Sequence, residues 1–379
     1  MADEYRFPIF LFSIQRCWGQ KPVCPRYQLN QEEEAMDMNY VVSFLEKIVN
    51  IPSPSGYTKE VMKVVEEEAK GFGYGAEYSR KGGLIITVPG KTEHCLGISA
   101  HVDTLGAMVR SVTSEGKLKL ISVGGFTMES IEGMYCKVHT RTGKTYTGTI
   151  LTTSPSVHVQ DDARTLERKE KHMEVRLDEV VHNAGDVAEL EIGTGDFISF
   201  DPMFVYTESG FIKSRHLDDK ASVAVLMGVL KDMAEQKFVP ETTVKLLISN
   251  FEEVGFGASW VPEDVEELLA VDMGCVGDDL AGNEFEVSIC AKDGGVPYDY
   301  DMTNKLIQIA KERKLGYVVD VFPHYGSDVG AALKGGNNIR GALIGQGVHA
   351  SHGTERTHVE GLKQTLLLVE GYIGMEKAE

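Results

Sequence analysis

His101 and Asp103 in AHVDTLG, Asp218 and Asp219 in HLDDKAS, and Glu252 and Glu253 in SNFEEVGFG follow one another along a chain of 379 residues. Asp272 in AVDMG and His352 in HASHGTERTH complete the series. Apolar runs (LGISA, LLISN, LLAV) adjoin several of these acids, which places them where buried elements meet loops. Carboxylates gathered in such places repel one another and are costly to desolvate unless cations neutralise them. Two divalent ions would do so. Asp218, Glu253 and Asp272 with one hydroxide balance their charge, His101 and His352 bind as neutral imidazoles, and Glu252 is left beside the cluster as a base. Such nitrogen and oxygen donors suit zinc, and also cobalt or manganese.

Each element taken singly has a plainer explanation. A His two residues from an Asp on a strand shares a face with it and often forms only a surface pair. Adjacent acids are commonly solvated loop residues. The signal lies in the ordered set.

A formal charge of −19 argues against nucleic-acid backbones and anionic membranes as partners. No apolar run reaches the ~18 residues of a membrane span. Six cysteines (Cys17, Cys24, Cys95, Cys136, Cys275, Cys290) are scattered without a CxxC pair, the usage of a reduced, cytoplasmic protein. Cys275, three residues beyond Asp272, is a candidate soft ligand, although a small buried thiol is the simpler reading. Residues 1–35 contain FPIFLFSI but no basic segment before it and no small-residue cleavage site after it. They are expected to form a disordered extension, with a signal peptide as the competing reading.

The chain is long for one core, so two domains are expected. YVVSFLEKIVNI has helical spacing and stops at Pro52; TKEVMKVVEEEAKGFG is a second amphipathic helix closed by Gly71 and Gly73. GGLIITVPG and HCLGISAHVD read as strands, the second bringing His101 and Asp103 to the end where open α/β sheets bind ligands. Residues 106–213 hold short β-like runs separated by Gly, Ser and Asp, the pattern of a small barrel or sandwich. Within them DDARTLERKEKHMEVRLDEVV is expected to be an exposed helix or loop. Helical and strand patterns then return: KASVAVLMGVLKDMAEQ is a helix, VKLLISNFEE and ELLAVDMG are strands, TNKLIQIAKERKLG is a helix, YVVDVFPHYG is a strand, and HVEGLKQTLLLVEGYIGM closes the chain as a helix. The expectation is an α/β body of residues 36–105 and 214–379, interrupted by a β-rich insertion at 106–213.

In this order the motifs resemble the co-catalytic dinuclear metallopeptidases. In the carboxypeptidase and deacylase branch the inserted domain falls between the fourth and fifth ligand stretches. In the glutamyl-aminopeptidase or TET-type (tetrahedral) branch it falls between HxD and DD. Here 115 positions separate Asp103 from Asp218 and only 80 separate Asp272 from His352, so the chain is similar to the TET-type branch from about residue 38 to 376. The resemblance implies a catalytic domain with a central mixed sheet flanked by helices, and a barrel-like dimerisation insertion. It makes Asp218 the bridging carboxylate, with His101 and Asp272 completing one metal site and Glu253 and His352 the other. Glu252 becomes the general base and Asp103 the partner that orients His101.

Many relatives carry the last ligand in a segment like RYIHSPVE. This chain has HASHGTERTH instead, so His349 is the alternative to His352. The implied activity is removal of N-terminal residues from peptides by a homo-oligomer, commonly a hollow dodecamer built from dimers. Two other readings stay open. One is a glycoside hydrolase of the endoglucanase type using Glu252 with a second carboxylate, which leaves both histidines and Asp272 without a role. The other is a non-catalytic assembly protein stabilised by metal, for which Glu252 would be superfluous.

Overall fold

The computed structural model describes residues Met38–Glu376, so the extension expected at 1–35 lies outside the described residues. Helix Met38–Val49 buries Val41, Val42, Phe44, Leu45 and Ile48 on one face and ends three residues before Pro52. Helix Lys59–Gly71 buries Val61, Met62, Val65 and Ala69 at the same kind of spacing. Helix Leu217–Glu235 is different: every residue from Leu217 to Leu230 is buried. An apolar helix of this kind must lie inside the fold. It packs against strand Thr92–His101 and against helices Met38–Val49 and Val359–Tyr372.

The body is built on a nine-stranded mixed sheet. Its order is Ala76–Tyr78, Leu84–Val88, Thr242–Ser249, Thr92–His101, Glu267–Val271, Arg340–Val348, Val287–Lys292 and Tyr317–Val321, with Gly274–Cys275 paired beside Arg340–Val348. The central strands Thr242–Ser249, Thr92–His101, Glu267–Val271 and Arg340–Val348 are parallel to one another. Their C-terminal ends therefore meet at one edge, in register: Ser249 lies opposite His101 and Ala270 opposite Ser99.

Six strands between Gly106 and Phe200 close a separate barrel, in the order Gly106–Val112, Leu118–Val123, Met173–Leu177, Thr145–Thr152, Tyr135–His139 and Phe197–Phe200. Val109, Leu118, Leu120, Val138, Ile150, Val175 and Ile198 fill it. Strands Val205–Tyr206 and Phe211–Ser214 do not join the barrel; they form a three-stranded sheet with Glu355–His358. This tie joins the segment after the barrel to the strand that follows the His352 loop.

Part of the chain departs from the sequence expectation. The charged stretch 161–181 makes turns and a short 3-10 segment at Glu170–His172, then strand Met173–Leu177, which helps close the barrel. Met173, Val175 and Leu177 face inward, and Lys117 neutralises the buried Glu174 at 2.5 Å. Strand alternation wins there over the high charge. Among the elements with no counterpart in the expected ones are strands Val287–Lys292 and Arg340–Val348, and helix Asp328–Lys334.

Gly345 belongs to the second of these strands. A Cβ at Gly345 would lie 1.3 Å from the Asp272 carbonyl oxygen, so only a residue without a side chain lets the two strands approach at that point.

Candidate metal centre

Three adjacent parallel strands deliver the first residues. His101 ends strand Thr92–His101, the Glu252–Glu253 turn follows strand Thr242–Ser249, and Asp272 follows strand Glu267–Val271. Asp218 comes from the start of the buried helix Leu217–Glu235, where its ψ of 103° is not helical and its peptide to Asp219 is cis. His352 sits in the left-handed region at φ 62° in the loop before strand Glu355–His358. Non-glycine residues in that region are uncommon and cluster at functional sites.

The donors gather in two groups that share Asp218. His101, Asp218 and Asp272 form one; Asp218, Glu253 and His352 form the other; in each, the ligand atoms lie within 4.8 Å of one another. His101 Nε2 is 3.2 Å from Asp218 Oδ1, while His352 Nε2 is 3.4 Å from Asp218 Oδ2 and 3.6 Å from Glu253 Oε2. Four donors held about 2.0–2.1 Å from a tetrahedral zinc ion stand roughly 3.3–3.5 Å apart, so these spacings suit a common cation.

The tautomers agree with this. His101 Nδ1 donates to the Asp103 carbonyl at 2.9 Å, which turns Nε2 toward the cluster. Nε2 is buried and has no hydrogen-bond partner among the described residues. His352 Nδ1 donates to the carbonyl of Gly125, just beyond barrel strand Leu118–Val123. Its Nε2 is likewise left for a metal.

Electrostatics lead to the same demand. Burial, and then the charge of Asp218, push the Glu253 carboxyl well above the usual range; burial chiefly does the same to Glu252. Asp272 is pushed up to about 7 by burial and by Asp218. Burial alone would raise Asp218 too, but the imidazoles of His101 and His352, 3.2 and 3.4 Å from its two oxygens, bring it below the usual range. Burial opposes charge on the two imidazoles, yet contacts with Asp103 and Asp218 raise His101, and Asp218 and Glu253 raise His352 to about 10. Protein groups alone thus satisfy the cluster only by keeping protons on acids and histidines. Divalent cations would supply that positive charge and leave the imidazoles neutral.

Glu252 belongs to neither donor group, although its Oε2 is 3.6 Å from His101 Nε2. His349 is exposed and absent from both groups; its backbone pairs with Arg356. Burial raises the Cys275 thiol to about 12, which makes it a poor ligand beside carboxylates. Asp103 does more than face His101. Its carboxylate, 3.5 Å from His101 Nδ1, accepts from Ser55 Oγ at 2.5 Å and from the backbone N–H groups of Glu252 and Glu253 at 3.1 and 3.3 Å. It pins the acidic turn against the end of the neighbouring strand.

Two supporting acids, Asp219 of the HLDDKAS motif and Glu355, had no role assigned from the sequence. Asp219, fully buried, accepts from the His101 N–H at 3.1 Å. Glu355, 2 % exposed, accepts from the Asp218 N–H with one oxygen and from the His352 N–H with the other, both at 3.0 Å. It brackets the backbones of Asp218, common to both groups, and of His352. Its place in HASHGTERTH was the available signal.

The fold thus combines a mixed sheet, with acids and histidines at its strand ends, and a closed six-stranded barrel. The family model for M42 glutamyl aminopeptidase matches residues 82–368, and the chain belongs to that family. It is 47 % identical over 334 residues to the Bacillus subtilis (strain 168) protein called "Putative aminopeptidase YhfE", covering 88 % of this chain and 96 % of that one. It is 22 % identical to the "Lysyl aminopeptidase" of Pyrococcus furiosus, covering 60 % of this chain and 65 % of that one. Among solved structures, the fold matches the Pyrococcus horikoshii TET1 peptidase, described as able to assemble into a tetrahedron or a large octahedral shell. The TM-score is 0.77 at 24 % identity, over 88 % of this chain and 99 % of that one.

Proposed function

We propose that this protein is a two-metal aminopeptidase that removes single residues from the N-termini of peptides. The observation that carries the reading is the pair of donor groups sharing Asp218, with Glu252 left outside both. His101 and Asp272 would hold one ion, Glu253 and His352 the other, and Asp218 would bridge them. When bound, the ions supply an activated water at neutral pH and polarise the scissile carbonyl. Glu252 takes the proton from the attacking water and passes it to the leaving amine. Asp103 and Glu355 hold the backbone of the acidic turn, of Asp218 and of His352 in place. The density of acids around the pocket favours a free α-ammonium group on the substrate, and hence exopeptidase action.

Zinc is the first choice of metal for this mixed donor set, with cobalt or manganese able to replace it. The cysteines Cys95, Cys136, Cys275 and Cys290 are free, which supports a reducing, cytoplasmic setting. No helix among the described residues is long and apolar enough to cross a membrane. A homo-oligomer built through the insertion at 106–213 is part of the proposal. Tyr135, Val159 and Val180, 69, 81 and 87 % exposed, lie on that insertion and support it as an association surface.

Glu252→Gln tests the reading. The amide keeps the shape but cannot accept a proton at neutral pH. Both metals should stay by elemental analysis, and hydrolysis of aminoacyl substrates should fall ~10²–10⁴-fold. Glu253→Gln should instead lose metal as well as rate. Unchanged hydrolysis in both variants would sink the peptidase assignment.

A further inference from the structure

The acidic turn that carries Glu252 and Glu253 is closed on itself. The Phe256 N–H donates to the Phe251 carbonyl at 2.8 Å, and the Gly255 N–H donates to the Glu252 carbonyl at 2.6 Å. Asp103 grips the front of this turn through the N–H groups of Glu252 and Glu253. The back is held from two other parts of the chain. Asp328, buried at the start of helix Asp328–Lys334, accepts from the Ala258 N–H at 2.8 Å. Lys81 donates from its ammonium to the carbonyls of Phe256 and Gly257 at 2.5 and 2.6 Å, and to Ser259 Oγ at 2.9 Å. An ammonium has three protons, so all of them are engaged.

The local sequence makes Lys81 a fixed arm. SRKGG folds as a tight turn in which the Ser79 N–H donates to the Gly83 carbonyl at 2.8 Å and the Gly83 N–H donates to Ser79 Oγ at 3.0 Å. Gly82 takes the left-handed conformation at φ 88° that closes it. Asn250, two residues before Glu252, donates to the Lys81 carbonyl at 2.8 Å. The backbone of Lys81 is thus tied to the entry of the acidic turn and its side chain to the exit. Hydrogen bonds from a charged donor are the stronger kind. Glu253 would also be restrained by the ion it binds. Glu252 lies outside both donor groups, so its place depends on the backbone of the turn.

We propose that Lys81 is a positioning residue for the general base: by fixing the carbonyls of Phe256 and Gly257, its ammonium holds the Glu252 carboxylate where it meets the attacking water. The inference rests on the aminopeptidase reading and deepens it. Without the ammonium, the back of the turn pivots about the Asp103 grip. The metal ligands stay with their ions while the base drifts. A displacement of about 1 Å at a reacting group costs on the order of a hundredfold in rate.

The test is a double-mutant cycle on the full chain loaded with zinc or cobalt, read with the fastest-cleaved of the p-nitroanilides of Ala, Leu, Lys and Glu. Lys81→Met keeps the apolar stem and removes the charge. Its kcat should fall about tenfold to a hundredfold, with KM within about threefold of wild type and metal content unchanged. In a Glu252→Gln background the same substitution should cost less than about twofold, because the group that Lys81 positions no longer takes the proton. Lys81→Cys should be as slow as Lys81→Met. Alkylation of that cysteine with 2-bromoethylamine rebuilds an ammonium at the length of lysine and should restore most of kcat, with wild type treated alike to account for the other thiols. Lys81→Arg, the milder change, serves in the cycle if Lys81→Met yields no folded protein. Equal losses in the two backgrounds would make Lys81 a general structural residue and overturn this inference. An unchanged kcat in Lys81→Met would overturn it too, and both results leave the peptidase reading standing. If the loaded wild-type enzyme cleaves none of the four substrates, the peptidase reading fails and this inference falls with it.

Discussion

Stripping the metals should give a protein that loses stability as pH rises from mildly acidic to alkaline. Asp272 has a folded-state value of about 7, raised by burial and by Asp218 from an ordinary 3.8. Between those two values the folded chain binds this proton more tightly than the unfolded chain does. Stability therefore falls through that window and is level above it. A gap of this size corresponds to on the order of 4 kcal/mol, a large fraction of the roughly 5–15 kcal/mol that holds a domain folded. Glu252 and Glu253, also raised chiefly by burial, act in the same direction. His352, raised to about 10 by Asp218 and Glu253 against the effect of burial, contributes stability that is complete below its ordinary 6.5 and lost as pH rises to about 10. Asp218 has the opposite sign, but its window lies below 3.8. Bound divalent ions replace these protons, so the loaded protein should gain relative to the stripped one as pH rises. Urea unfolding of both forms from about pH 5 to pH 9 measures the two slopes. A stripped protein that becomes more stable across that range, or equal slopes for the two forms, would refute the assignment of these acids and histidines to one cation-demanding cluster.

Glu355→Ala should remove both backbone brackets and weaken metal binding by about tenfold to a hundredfold, as measured by competition with a chelator. Glu355→Gln should lie between, because its single amide oxygen can accept only one of the two N–H groups. Replacing Val159 and Val180 together by Asp should shift sedimentation toward smaller species while metal content per chain stays constant. A wild-type protein that sediments as a monomer removes the basis for that expectation.

Amphipathic helices such as Lys59–Gly71 were legible in the sequence because their burial repeats with the helical period. The apolar runs ending in His101, in the Glu252 turn and in Asp272 were legible as strands for a related reason: long branched side chains crowd a sheet that is covered on both faces. Strand Arg340–Val348 was not. Its sequence RGALIGQGV alternates nothing and is rich in glycine, and the reasons for those glycines lie far off in sequence: Gly341 faces Val329, Gly345 the Asp272 carbonyl and Gly347 the Asn283 carbonyl. The candidate donors could be picked out because metal chemistry restricts them to a few residue types, and the structure brings His101, Asp218, Glu253, Asp272 and His352 together. Glu355 could not, since it acts on backbone N–H groups, and any acceptor of the right length would serve.

Gly345 contributes no atom that could touch a metal or a peptide, yet it decides where Asp272 stands. A methyl group there would overlap the Asp272 carbonyl and push apart two strands that run side by side. Tolerance to mutation around this site therefore does not fade smoothly with distance from the chemistry. A silent position one strand away from Asp272 has no room to vary, and random substitution there would lose the protein at the glycine behind the carboxylate.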